Sequence, residues 1–146
     1  PNLSQRVRID GPGRSATNVY AGPFRMTDGI DEIVAWCFDI AQHVGNRVTY
    51  HTAFNPLGDE RASLLNRLFT SHYHKVDTRV EGAAFQVAIW EIVYESLSDP
   101  FNVRNGLFEA SRNRDVTRLA NHWLRNLGTE ENYRISYFMS KTNQAC

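Results

Sequence analysis

Two cysteines, Cys37 and Cys146, and five histidines are the side chains of this sequence best suited to nucleophilic or metal chemistry. His72-Tyr73-His74, with His43, His51 and His122 scattered elsewhere, lacks the ligand spacing of zinc sites. The pattern therefore points to no metal and calls for no cofactor. Cys37 with a histidine and a carboxylate would make a nucleophile–base pair, as in a cysteine-dependent hydrolase. Against that, the chain carries no local signature of the familiar cysteine proteases. Cys37 also falls in mid-segment and not at a helix start, where a thiolate is stabilised. Two plainer roles are open to its sulfur: a Cys37–Cys146 disulfide, or burial as a small apolar side chain.

Gln86 is the other residue out of place. It sits in the stretch 83–94 (AAFQVAIWEIVY), apolar almost throughout except at Gln86 and Glu91. The run is too long and too rich in alanine for a strand, so it reads as a helix. A helix apolar all round is buried, with neighbours on several sides. Helical spacing puts positions 83, 86, 90 and 93/94 on one face, so Gln86 lies beside Trp90. A buried amide without partners costs on the order of 1–3 kcal/mol. The plain expectation is that Gln86 ties down a neighbouring backbone edge.

The elements around these residues follow from periodicity. Residues 5–9 alternate as a short strand that Gly11-Pro12-Gly13 ends, and 18–26 read as a second strand kinked at Gly22-Pro23. Thr27-Asp28-Gly29 is a turn. Residues 30–44 fit either an amphipathic helix or, over 33–40, a fully buried strand; periodicity leaves both open. Residues 48–54 (VTYHTAF) read as a strand. Asp59 is a candidate cap for a helix over about 60–73 with Leu64, Leu65, Leu68, Phe69 and His72 inward. The buried helix follows, stopped by Ser98-Asp99-Pro100. After a loop over 102–108 comes an amphipathic helix over about 115–127, ended by Gly128, and a last strand over 133–140. Strands, three helices, then a strand suggest an α+β fold: an antiparallel sheet or sandwich with an inserted three-helix segment, in one domain over 1–146.

Composition narrows the function classes. Lys plus Arg and Asp plus Glu number 16 each, so no basic excess argues for nucleic acid or an anionic membrane. No apolar run has the length of a membrane span, and the opening shows no signal-peptide pattern. Pro1-Asn2-Leu3-Ser4 reads as the start of a trimmed or mature chain.

Trp36-Cys37-Phe38-Asp39, then Phe85-Gln86-Val87-Ala88-Ile89-Trp90, then Gln144 after the last strand, resembles the thioester domains of bacterial surface proteins. Those domains carry an aromatic-or-Leu–Cys–apolar–polar motif, a Thr-Gln-x-Ala-(Ile/Val)-Trp motif on a helix, and a late glutamine. The stretches GPFRMTDG, AWCFDI and AAFQVAIWEIVYE likewise resemble, in order, secreted proteins bearing a C-terminal sorting signal. The similarity runs from about Val19 to Gln144. Two positions depart from it: Phe85 stands where threonine is usual, and Gln144 is followed by Ala145-Cys146 and not by apolar residues.

The resemblance implies an internal thioester between Cys37 and Gln144, formed with loss of ammonia. It implies that Gln86, Trp90 and Trp36 support the bond, and that 33–40 is a strand bearing the cysteine. Placement of the two groups supplies effective molarity, and an aromatic lid, Trp36 or Trp90, would slow hydrolysis. The expected role is extracellular or cell-surface adhesion: one covalent attachment to an amine or hydroxyl on a protein or glycan partner, without enzymatic turnover. Competing readings are a non-covalent surface module with Cys37 reduced or disulfide-bonded, and the cysteine-dependent hydrolase.

Overall fold

The computed structural model describes residues 2–41 and 51–140. Its strands are β1 (Gln5–Gly11), β2 (Arg14–Ala21), β3 (Phe24–Thr27), β4 (Glu32–Ala35), β5 (His51–Ala53), β6 (Glu109–Ser111) and β7 (Tyr137–Met139). Its helices are α1 (Asp59–His72), α2 (Arg79–Tyr94) and α3 (Arg114–Arg125), with a short 3-10 turn at Tyr73–Lys75. The described strands form three antiparallel groups, ordered β2-β1-β6, β3-β4 and β5-β7. The chain is thus α+β, and β5 and β7, which flank the helical segment in sequence, pair with each other.

α2 is the centre. Every residue from Gly82 to Ile92 is buried, and α1, α3, β1 and β2 all pack on it. Its alanines let neighbours approach closely, while Phe85, Val87, Ile89 and Ile92 fill the gaps. Gly82 is required by contact: a Cβ there would run into the Leu3 backbone carbonyl, which crosses the helix at that point. Thr78 and Glu81 close the helix start with a reciprocal capping box. On the far side, Val7 and Ile9 alternate inward from β1. Phe85 meets Trp36, Phe69, Tyr73 and Trp123 at centroid distances of 4.7, 4.9, 5.7 and 6.2 Å. Offset and edge-on contacts of this kind add to plain area burial.

Several sequence expectations need adjusting. The strand read over 18–26 is two strands in different sheets, parted at Gly22-Pro23. The strand read over 33–40 spans Glu32–Ala35, which excludes a helix there but stops short of Cys37. The last strand is confined to Tyr137–Met139. Asp59 is the first helical residue and Gly58 the cap, and a strand, β6, follows directly on the loop over 102–108. His43, Gln144, Cys146 and the first residues of the strand read over 48–54 lie outside the described residues.

Candidate functional site

Beyond Ala35 no described strand pairs with the chain, and side chains of α2 reach its backbone. The Cys37 N–H donates to Gln86 Oε1 at 3.1 Å, and Gln86 Nε2 donates to the Cys37 carbonyl at 2.6 Å. One carboxamide thus satisfies both backbone groups of one residue, as a paired strand would. Both residues are buried, Gln86 to within 1%. Two helical turns on, Tyr94 Oη accepts from the Ile40 N–H at 3.0 Å and donates to Asp39 Oδ1 at 3.4 Å. Burial pushes the Tyr94 phenol up to about 12, with the Ile40 N–H opposing and the Asp39 charge adding. Spacing makes the double tie feasible. Eight helical residues rise ~12 Å, and three extended residues span ~10 Å.

Between Gln86 and Tyr94, on the same face, lies Trp90. It joins Cys37 and Gln86 in lining a cavity of about 390 Å³ that β2 and the Gly22-Pro23 loop close from the other side. Trp36 points elsewhere. It packs on Phe85 and Tyr73 and lines a separate apolar cavity of about 280 Å³ with Leu65, Phe69, Ile89 and Tyr137. Of the two aromatic residues expected near the sulfur, the structure puts Trp90 in the cavity with Cys37 and Trp36 in the other. Phe85, at the position where the resembling motif has threonine, belongs to the aromatic core. Phe38 meets Tyr137 at 6.0 Å, so the chain's last described strand begins beside the cysteine segment.

The histidine candidates separate from this site. His72 is buried against α3, stacked on Trp123 at 5.4 Å. Its Nε2 faces the Asn126 and Trp123 carbonyls at 2.8 and 3.2 Å, and Lys75 Nζ lies 3.1 Å from its Nδ1. Nε2 therefore carries the hydrogen and Nδ1 accepts from the ammonium. Burial lowers its pKa, with the two carbonyls opposing and the Lys75 charge adding. This histidine fastens the end of α3 onto α1. No histidine lines the Cys37 cavity among the described residues. Among them, too, no three His, Cys, Asp or Glu cluster to hold a metal.

Sequence reasoning passed over a second polar knot, on the opposite side of α2. Glu91 is fully buried, and its Oε2 accepts from the Asn102 N–H at 2.8 Å. Its Oε1 has no partner among the described residues. Burial pushes the carboxyl up to about 8; the Asn102 N–H opposes this and the Glu95 charge adds to it. Glu95 in turn accepts from the Leu107 N–H, and Asn121 accepts from Val103. Together they hold the loop over 102–108. The signal was a glutamate inside an apolar run, the same anomaly that singled out Gln86.

No protein-family model matches the chain, and neither a curated protein nor a solved structure does.

Proposed function

We propose that the domain forms an internal thioester between Cys37 and Gln144 and uses it once, to attach itself covalently to a partner at a cell surface. The observation that carries this is the double clamp of Gln86 on the Cys37 backbone beside a cavity. It holds the cysteine still where a second molecule has room. The Phe38–Tyr137 contact sets the start of β7 against the residue after Cys37, on the side of the Trp36 cavity, and the chain that follows β7 carries Gln144. The seven residues from Tyr137 to Gln144 can reach up to ~25 Å. In the condensation the Cys37 sulfur bonds the Gln144 carboxamide carbon and ammonia leaves. Attack by a nucleophile on the partner then breaks the carbon–sulfur bond and returns the thiol. The cost is one protein molecule per link formed, so this is not turnover.

Intact mass tests the reading. The folded protein is expected to fall short of its sequence mass by one ammonia, and Cys37→Ala and Gln144→Ala each to restore it. A deficit of two hydrogens would mean a disulfide, and a deficit surviving Cys37→Ala would overturn the assignment. The same Gln86 bonds also suit a non-covalent surface module, in which they anchor a strandless segment and no mass is lost.

A further inference from the structure

The cavity of about 280 Å³ on the Trp36 side has main chain in its walls as well as side chains. Ile33, Val34, Ala35 and Trp36 line it in succession on one side, and residues 133–138 do so on the other. Successive side chains of an extended segment point opposite ways, so an unbroken run of lining residues turns the segment's edge to the space. No residue of β3 is in the lining, which places the cavity along the edge of β4 that β3 leaves open. Leu65 and Phe69 of α1 and Ile89 of α2 complete an apolar wall.

Both edges have unused hydrogen-bonding capacity. Among the described strands β4 pairs with β3 alone. In an antiparallel pair alternate residues turn their N–H and C=O groups to the partner and the others turn theirs away, so half of the 4 residues of β4 present these groups to the open edge. Across the cavity Tyr133 is held by a second carboxamide clamp: Asn66 Nδ2 donates to its carbonyl at 2.6 Å, and its N–H donates to Asn66 Oδ1 at 3.0 Å. From there Arg134, Ile135 and Ser136 make no main-chain hydrogen bond to a described residue, and none of the three is buried. The alternation of Tyr133, Ile135 and Tyr137 is that of a strand, yet the ladder begins only at Tyr137. Nor is β4 guarded as an open edge usually is. It has no lysine, proline or bulge, its one charge is paired with Arg25 of β3, and Ile33 and Val34 are 38% and 45% exposed.

We infer that this slot receives one extended peptide segment of a partner protein, which pairs with β4 on one side and with the run before β7 on the other and so joins the β3-β4 and β5-β7 pairs into one sheet. A peptide main chain offers donors and acceptors in alternation to both edges, which a hydrocarbon ligand does not. The apolar walls call for apolar side chains at alternate positions of that segment. An apolar cavity of about 150 Å³ takes a benzene-sized group, so about 280 Å³ has room for a pair of them. Arg134, exposed, carries the one charge among the described lining residues, so an acidic or neutral segment is favoured over a basic one. The inference does not rest on the thioester reading, because Cys37 is not in this lining.

Amide NMR and hydrogen exchange on the folded protein test it, by titration with heptapeptides Glu-Thr-X-Thr-X-Thr-Glu, acetylated and amidated at their ends, X being valine, leucine or phenylalanine. At least one is expected to bind saturably and to slow exchange about tenfold or more at amides within both 32–35 and 134–136. The same peptide N-methylated at both X residues keeps its side chains and loses donors along one edge. It is expected to bind about tenfold more weakly. Val34→Lys, a change at an exposed position, is expected to weaken binding to a similar extent and to leave the α2 amide resonances in place. The inference is overturned if none of the three peptides binds saturably, or if protection is confined to one of the two runs. Binding that the N-methyl groups leave unchanged overturns it in favour of a merely apolar pocket, and binding unchanged in Val34→Lys removes β4 as the docking edge. Protection of these amides that grows with protein concentration in the absence of peptide overturns it in favour of a second copy of the chain.

Discussion

Gln86 and Glu91 interrupt the same apolar helix, and the structure treats them in opposite ways. Gln86 has a partner for its amide oxygen and one for its amide nitrogen, whereas Glu91 has one for only half of its carboxylate among the described residues. Burial therefore favours the protonated form of Glu91, which titrates at about 8 in the fold and at about 4.5 as a free side chain. The sign follows. Below about pH 4.5 the group is protonated in both states and costs nothing. As pH rises from there to about 8, the unfolded chain releases a proton that the folded chain keeps, so stability falls. Above about 8 the loss is complete, on the order of a few kcal/mol. Urea denaturation between pH 4 and 9 is expected to show this decline. Glu91→Gln, which keeps an acceptor for the Asn102 N–H, is expected to flatten it. An unchanged slope in that variant would place the titrating group elsewhere.

At the scale of elements, α2 does a strand's work with side chains. Gln86, Trp90 and Tyr94 repeat every four residues and so share one face, and that face runs along the segment from Cys37 to Ile40. Gln86→Leu keeps the bulk but removes both hydrogen bonds from the Gln86 carboxamide to the buried Cys37 backbone. Each buried hydrogen bond lost in this way costs about 1–3 kcal/mol. A loss of about 2–5 kcal/mol is expected by urea denaturation, against a negligible one for the exposed Arg79→Gln at the start of the same helix. Equal small losses would mean that water replaces the amide. The helix face was legible from spacing alone, and so was a backbone tie by Gln86. Which backbone it tied was not, because the contact spans 49 residues and depends on where β4 ends.

For the whole molecule, a bond from Cys37 to Gln144 would close a loop over most of the chain. Loop-closure entropy puts the stabilisation at about 5 kcal/mol for a loop of ~100 residues. Opening the bond with methylamine is then expected to lower the melting temperature of the wild-type protein and to leave Cys37→Ala unmoved. The same fall in both would show that methylamine acts on something other than the thioester. The loop would take in all three helices and, apart from Trp36, the aromatic cluster around Phe85, which is the part the structure buries most thoroughly.

Local order was written into the chain. Alternation in 5–9, the apolar run of 83–94 and the amphipathic stripe before Gly128 each dictated an element, because period and composition act within a few residues of each other. The α+β class followed from their order. What packing decided was the partner of each anomaly. Trp36 and Cys37 are adjacent in sequence, yet they line different cavities. Successive residues of an extended chain face opposite ways, and only the arrival of α2 on one side fixes which cavity each one meets.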